Sequence, residues 1–218
     1  SSDVCSSDLA TAQFYKDTVA FAEEHQVGIV SDFAYGAIGF DGNQPLSFLQ
    51  TAGAKSVGIE TYTFSKTFNM AGWRVGFAVG NADMIAALNL IQDHLFVSIF
   101  PAIQDAAIAA LAQRKQRTDA VGQLQAVYES RRNAFINAVR SFNWEPYVPK
   151  GAFYVLMPVP KGYTSAQFAE LLLNRANVAV ADASGFGDAG EGYVRVGLTI
   201  TEDRLVEAAN RIKALNLF

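Results

Sequence analysis

The sequence has 218 residues, of which 50% are hydrophobic and 17% charged, and 17 basic against 21 acidic residues give a net charge of −4. This composition is typical of one large or two small globular domains, and it lacks the basic footprint of nucleic-acid binding. No apolar run approaches the roughly 20 residues of a membrane-spanning helix, and the N-terminus does not resemble a signal peptide. We expect a cytoplasmic protein that binds neither nucleic acid nor membrane.

The sequence offers few ligands for a metal site. Its single cysteine, Cys5, cannot form an internal disulfide, and its two histidines, His25 and His94, lie far apart. Structural zinc is usually bound by Cys and His at short spacing. We therefore predict no metal centre.

The N-terminal segment divides into a leader and a helix. The first nine residues, SSDVCSSDL, have no periodicity and repeat Ser-Ser-Asp, so we predict a non-native leader over residues 1–9. Thr11 is a suitable N-cap, and apolar residues recur at helical spacing from there to Ala22. This pattern predicts an amphipathic helix that ends near Gly28.

Three apolar segments predict buried strands. VGIV ends at Ser31-Asp32, and similar segments occupy residues 57–64 and 75–79. Helical segments alternate with them, which predicts a parallel α/β sheet. Ligands of such sheets bind beyond the carboxyl ends of the strands, so residues that follow these segments are candidates for a site.

Lys66 stands at the end of the second predicted strand. The aromatic and β-branched run stops at Ser65, and Arg74 lies eight positions after the lysine. An amine becomes nucleophilic where a pocket or a neighbouring cation lowers its pKa, and it then forms Schiff bases with carbonyl compounds. Taken alone, a lysine in such a loop is more often a solvated charge.

The stretch SKTFNMAGWRVG resembles the cofactor-lysine segment of the class I/II aminotransferases, which are fold type I pyridoxal-phosphate enzymes. The resemblance implies that Lys66 is catalytic and binds pyridoxal 5'-phosphate. It also implies that Thr63, Ser65 and Arg74 bind the cofactor phosphate, a task that suits two hydroxyls and a charged, bidentate fork.

The segment SDFAYG resembles the Asp-x-Ala-Tyr element of the same family. The resemblance implies that Asp32 keeps a proton on the pyridine nitrogen, so that the ring can act as an electron sink. It further implies that Ala34 packs on a ring face and that Tyr35 donates a hydrogen bond to the phenolate oxygen of the ring. Without the resemblance, the same residues would be interpreted as an N-cap aspartate beside a core aromatic residue.

The middle of the chain predicts three helices and a domain boundary. Helices are expected over residues 101–112 and 118–139. The charged segment QRKQRTD between them favours a division into a partial cofactor-binding large domain, 10–115, and a linking helix with a small α+β domain, 116–218. An earlier helix is predicted to place four apolar residues in the core: Met84, Leu88, Ile91 and Leu95.

In the last third, YVRVGLT predicts a strand whose alternation separates Arg195 from the apolar face. Thr164 has capping-box spacing, and Thr201 is a suitable cap for a last helix. The resemblance implies that Arg195 binds the substrate α-carboxylate; otherwise a surface arginine is expected. The glycine-rich segment before this strand predicts a flexible connection, and Asp182-Ala183 replaces the Pro-Gly pair expected of close relatives.

The resemblance implies an aminotransferase that exchanges the amino group between an amino acid and a 2-oxo acid. The family's Asn-Pro-x-Asn-Pro-Thr-Gly motif would fall near Val4 and is absent. We therefore expect a C-terminal portion that lacks the N-terminal half, binds pyridoxal phosphate poorly or not at all by itself, is inactive alone and exposes apolar faces. The full-length protein is expected to be a homodimer.

Three points stay open at this stage. The motifs resemble those of bacterial enzymes for methionine-related, alanine-like or diaminopimelate-type substrates and do not choose among them. A pyridoxal-phosphate-dependent carbon–sulfur β-lyase would use the same lysine, aspartate and arginine. An aminotransferase-like effector domain of a transcription regulator would also carry these motifs.

Overall fold

A computed structural model of the protein describes residues 9–115 and 120–218. All of the predicted leader except Leu9, and residues 116–119 at the predicted domain boundary, lie outside the described residues. Two compact units are present. The N-terminal unit comprises Ala10–Gly39 and Gln44–Leu124, and the C-terminal unit contains Phe40–Asn43 and Gln125–Phe218. The boundary between residues 115 and 116 stays a prediction.

The N-terminal unit contains most of the helices. Thr11 caps the first helix as predicted, because its side chain accepts a hydrogen bond from the Phe14 amide at 3.1 Å. Val19 and Ala22 are the buried residues of this helix. The elements are α1 (Ala12–His25), β1 (Ile29–Asp32), α2 (Ala54–Val57), β2 (Gly58–Thr63), α3 (Phe64–Thr67), β3 (Gly76–Gly80), α4 (Ala82–Leu95), α5 (Pro101–Lys115) and the first residues of α6 (Ala120–Arg140).

The sheet of this unit has the order β1-β2-β3. β1 and β2 are parallel, as predicted, with Asp32 opposite Thr61. β3 is antiparallel to β2, with Thr63 opposite Gly76, so the prediction of three parallel strands is wrong for β3. Parallel strands need a crossover of about a dozen residues or more, usually a helix. The twelve residues between β2 and β3 contain only single helical turns, not a crossover helix, and they reverse the chain instead.

Several apolar residues predicted to be buried are exposed. Val30 of β1 is 63% exposed, and the predicted core face of α4 is wrong for Leu88, Ile91 and Leu95, which all lie on the surface. The expectation that the chain exposes apolar faces agrees with this arrangement. Among the described residues of the N-terminal unit, buried apolar side chains cluster at Phe48 and at Phe64.

The C-terminal unit is an α+β layer with a larger core. Its elements are the rest of α6, β4 (Tyr154–Pro158), α7 (Ser165–Leu171), β5 (Ala181–Asp182), β6 (Tyr193–Gly197) and α8 (Glu202–Lys213). The antiparallel sheet has the order β4-β6-β5. The predicted capping box at Thr164 is present. Thr201 occupies the N-cap position of α8, but its side chain makes no capping hydrogen bond. Trp144 and Phe168 are fully buried and meet edge to face.

Asp41 and Gly42 form a turn in which both residues have positive φ. Its anchor was not predicted. Arg132 of α6 is almost fully buried, and its two terminal nitrogens donate to the Asp41 carboxylate at 2.6 and 2.7 Å. The Phe40 amide donates to the Lys150 carbonyl at 2.8 Å. This short segment is therefore held by ion pairing and backbone pairing within the C-terminal unit.

Candidate active site

The candidate site of the N-terminal unit lies where β1 and β2 end. Asp32 is the last residue of β1, and the Thr61 hydroxyl donates a hydrogen bond to Asp32 Oδ1 at 3.5 Å. Asp32 is exposed, so its carboxylate is accessible to a ligand. The parallel register places the residues that follow β2 at the same edge of the sheet.

Lys66 lies on α3, a single helical turn that begins immediately after β2. Thr63 caps this turn, and its Oγ1 accepts a hydrogen bond from the Ser65 amide at 3.1 Å. Lys66 is half-buried, and its Nζ lies 5.9 Å from the centroid of the Tyr35 ring. The fold thus brings together a lysine and a tyrosine that are separated by about thirty residues of sequence.

Tyr35 and Ala34 belong to the turn that follows β1. The Gly36 amide donates to the Phe33 carbonyl at 3.2 Å, and the Ile38 amide donates to the Tyr35 carbonyl at 2.9 Å. Both bonds fix the backbone of the turn, while Ala34 and Tyr35 remain half-buried. Their side chains are therefore held at the strand end without being enclosed in the core.

The reversal of the chain into β3 brings the segment that contains Arg74 back to the end of β2. The Phe64 amide donates to the Val75 carbonyl at 3.2 Å, which joins the two segments. Arg74 is exposed, has a left-handed φ of 54°, and donates from Nη1 to the Ala71 carbonyl at 3.1 Å. A non-glycine residue in this conformation stores roughly 1 kcal/mol or more of strain, which is frequent at ligand sites.

Sequence reasoning missed Glu60, which lies on β2 beside this edge and has no exposed surface. Its carboxylate accepts hydrogen bonds from the hydroxyls of Ser31, Ser47 and Tyr62 and from the Phe48 amide. The one available signal was an acidic residue within an apolar strand. Burial, with a smaller contribution from the negative charge of Glu60, raises the pKa of Tyr15.

Arg195 occupies the middle of β6 in the C-terminal unit. The predicted alternation is confirmed, because Val194, Val196 and Leu198 are buried and Arg195 lies on the other face. Arg195 Cζ lies 4.2 Å from the centroid of the Tyr154 ring and 3.9 Å from that of the Phe186 ring. Neither ring was singled out from the sequence.

The glycine-rich segment before β6 contains two 3₁₀ turns, at Ala183–Phe186 and Asp188–Gly190. The expected flexibility of this connection stays a prediction. Asp182 replaces the expected proline with a compatible φ of −62°, and its side chain accepts from the Ser184 amide at 2.9 Å. A Cβ at residue 190 would lie 2.0 Å from the Ala183 carbonyl oxygen, so glycine is required there.

The predicted site residues divide between the two units. The N-terminal unit contains the lysine and all of the predicted cofactor contacts: Asp32, Ala34, Tyr35, Thr63, Ser65, Lys66 and Arg74. Arg195 belongs to the C-terminal unit. Within the described ranges, no group of three or more His, Cys, Asp or Glu residues is placed to hold a metal, and no helix is long and apolar enough to cross a bilayer.

The family model of aminotransferase class I and II matches residues 6–212. The chain therefore belongs to the class I and II aminotransferase family, and its α/β architecture is that of fold type I aminotransferases. The match begins within the predicted leader, which stays a prediction.

Among curated relatives, the L-glutamine–4-(methylsulfanyl)-2-oxobutanoate aminotransferase of Bacillus subtilis is 60% identical over 210 residues, covering 96% of this chain and 52% of the relative. LL-diaminopimelate aminotransferase 2 of Trichormus variabilis is 42% identical and covers 94% and 52%, respectively. The apo-BacF structure from Bacillus subtilis superposes with a TM-score of 0.92 at 42% identity, covering 97% of this chain and 53% of that one. The chain spans about half the length of the relatives it matches.

Proposed function

We propose that the protein is part of a pyridoxal-phosphate-dependent aminotransferase that exchanges an amino group between an amino acid and a 2-oxo acid. The observation that carries the proposal is the position of Lys66, directly after β2 and beside Tyr35, in a chain of the aminotransferase family. Because the chain spans about half of its relatives, the activity is proposed for the whole protein.

The donor set of the N-terminal unit fits the cofactor. Thr63 Oγ1 already accepts a bond from the Ser65 amide, so its hydroxyl proton is available to an anion. Arg74 Nη1 donates to the Ala71 carbonyl. The other N–H groups of its guanidinium donate to no acceptor in the described part of the chain. Two hydroxyls and a guanidinium suit a phosphate dianion. The exposed Asp32 carboxylate suits a protonated ring nitrogen.

Pyridoxal phosphate, when bound, supplies a cationic ring that withdraws electrons from the α-carbon of an amino acid. Lys66 Nζ would hold the cofactor and take up the proton that leaves the α-carbon. Asp32 would keep the ring nitrogen protonated, and the Tyr35 hydroxyl would donate a hydrogen bond to the ring oxygen. Ala34 would pack on the ring, where its small side chain leaves room for a flat group.

Arg195 would bind the α-carboxylate of the substrate. In the described residues its guanidinium has no carboxylate within ion-pair distance, and it lies half-buried on the polar face of β6. A planar fork recognises a planar carboxylate in two parallel hydrogen bonds. Fixing the carboxylate orients the bond that is broken, and such orientation is a large part of catalysis.

The relatives guide the choice of substrates. L-Glutamine and 4-(methylsulfanyl)-2-oxobutanoate, named in the relative at 60% identity, are the first pair to test, and LL-diaminopimelate is the second.

The comparisons give no support to a carbon–sulfur lyase or a regulator domain. In the whole protein, amino transfer without release of sulfide from cysteine is the expected result. A cytoplasmic location and a homodimeric whole protein are part of the proposal, and the homodimer rests on the family resemblance.

Covalent labelling tests the cofactor site in this chain. The chain is mixed with excess pyridoxal phosphate, reduced with borohydride and mapped by peptide mass spectrometry. We expect modification of Lys66 in preference to the exposed Lys16 and Lys55. Arg74→Met should lower labelling of Lys66 about tenfold, the effect of losing charge-assisted hydrogen bonds.

Pyridoxal without its phosphate is the matched control. Arg74→Met should leave labelling by pyridoxal unchanged, because the guanidinium would contact only the phosphate. Uniform labelling of all lysines would contradict the proposed role of Lys66. An equal effect of Arg74→Met on both reagents would contradict the phosphate contact.

A further inference from the structure

The guanidinium of Arg195 is in contact with two aromatic side chains. Its Cζ lies over the faces of both rings, at 4.2 Å from the Tyr154 centroid and 3.9 Å from the Phe186 centroid. Both distances are well inside the roughly 6 Å over which a ring attracts a cation. We call Tyr154 and Phe186 the aromatic clamp.

Both rings are placed by ordered backbone. Tyr154 is on β4, which pairs with β6 so that Leu156 lies opposite Arg195 and Tyr154 lies diagonal to it. Phe186 ends the 3₁₀ turn that Asp182 caps. At the start of β6, the buried Ser165 hydroxyl accepts hydrogen bonds from the Gly192 and Tyr193 amides at 2.8 and 3.1 Å.

The clamp leaves the polar edge of the guanidinium available. All five N–H donors of an arginine point outward in the plane of the group, whereas the ring contacts are recorded at its central carbon, Cζ. Within residues 9–115 and 120–218, the Arg195 side chain has no hydrogen-bond acceptor. A carboxylate can therefore form hydrogen bonds with the half-buried guanidinium of Arg195 only if it approaches in the plane of the group.

We propose that Tyr154 and Phe186 are positioning residues that hold Arg195 in the orientation in which it binds the carboxylate of an amino acid or 2-oxo acid. The inference rests on the proposed function, in which Arg195 is the carboxylate ligand. An arginine side chain is flexible, so a guanidinium that is already oriented loses less conformational entropy when it binds. The clamp thereby strengthens binding without touching the substrate.

Nuclear magnetic resonance of the chain labelled with ¹³C and ¹⁵N at arginine and valine tests the clamp. The Arg195 Nε–Hε signal is assigned by its loss in Arg195→Lys and is followed during titration with sodium pyruvate. We expect a saturable shift in the unsubstituted chain. Phe186→Leu and Tyr154→Leu should each weaken pyruvate binding about two- to fivefold, the factor of one cation–ring contact, and should remove the upfield ring shift of the Arg195 Hδ protons.

Two variants control the experiment. Phe218→Leu makes the same change at a phenylalanine of equal exposure, 39% against 38% for Phe186, and should leave pyruvate binding unchanged. Phe186→Tyr keeps the ring and should retain wild-type affinity. The methyl signals of the buried Val194 and Val196 report whether each variant is folded.

The outcomes separate the two proposals. A pyruvate affinity in folded Phe186→Leu and Tyr154→Leu equal to that of the unsubstituted chain would overturn the clamp and leave the carboxylate role of Arg195 intact. An Arg195 signal that never responds to pyruvate would overturn that role, and the clamp with it. Weaker binding in both variants with normal binding in the two controls would support the clamp.

Discussion

Glu60 is a carboxylate with no exposed surface whose partners are three hydroxyls and one amide. The hydroxyls can rotate to accept a hydrogen bond, but the Phe48 amide, 2.7 Å away, cannot. Glu60→Gln therefore has one orientation that keeps the amide paired, and it loses a charge-assisted bond. We predict a loss of about 1–2 kcal/mol in the free energy of unfolding, measured with urea.

The exposed Glu24 of α1 provides the control for Glu60. Glu24→Gln removes the same charge from the same unit and should change stability by less than about 0.5 kcal/mol. Equal effects of the two substitutions would show that the buried hydrogen bonds of Glu60 contribute nothing beyond its charge.

Asp41 links stability to pH. Hydrogen bonding to the Arg132 guanidinium, together with its positive charge, lowers the pKa of Asp41 in the folded state. A lowered folded-state pKa gives stability that is present above the unfolded-state pKa of about 3.9 and is lost as pH falls through the folded-state value. Asp41→Asn should cost about 1 kcal/mol at neutral pH, since the carboxylate is partly exposed. This cost should shrink below about pH 4.

The pH dependence is measured by urea unfolding of Asp41→Asn and the unsubstituted chain at several pH values. Glu207→Gln is the control, because Glu207 pairs with Arg204 and Arg211 on the surface of α8. Its cost should stay below about 0.5 kcal/mol throughout. If the stability cost of Asp41→Asn is the same above and below about pH 4, the ion pair is not its cause.

At the scale of elements, the predictable features were those encoded by local pattern. Period-two alternation placed Arg195 on the polar face of β6, and cap residues placed the start of α1 and α7. The direction of β3 depends on the path of the connection from β2. The apolar pattern of a strand gives no information about that path. The contacts of Tyr154 and Phe186 with Arg195 join three separate segments, so no local pattern predicts them.

Helix α4 shows what periodicity leaves undecided. The spacing of Leu88, Ile91 and Leu95 predicts an apolar face correctly, but the pattern does not say what covers that face, and these side chains are exposed. Contiguous exposed apolar surface of more than a few hundred Å² promotes association. The helix therefore belongs to the region where the chain is expected to bind dyes or other copies of itself.

Replacing all three side chains of α4 with glutamine tests this expectation. The triple variant should bind less of the dye ANS and sediment with less self-association, while each change costs under about 0.5 kcal/mol of stability. Leu205→Gln is the control, because Leu205 of α8 is buried and its replacement should cost about 3 kcal/mol. A triple variant as unstable as this control would show that the α4 face is packed in solution.

At the scale of the whole molecule, the proposed roles are divided between two units: the predicted cofactor contacts lie in the N-terminal unit and the carboxylate-binding Arg195 lies in the C-terminal unit. A ligand stabilises the parts of a protein that it binds in the folded state, by about 2.7 kcal/mol at a concentration of one hundred times Kd. Pyridoxal phosphate should therefore slow amide hydrogen exchange in β1, β2 and α3 and leave α8 unchanged. Hydrogen-exchange mass spectrometry with and without the cofactor measures both, and Lys66→Arg should remove most of the protection. Equal slowing in α8 and β2 would show that the cofactor stabilises both units together, and slowing in α8 alone would contradict the assignment of its contacts to the N-terminal unit.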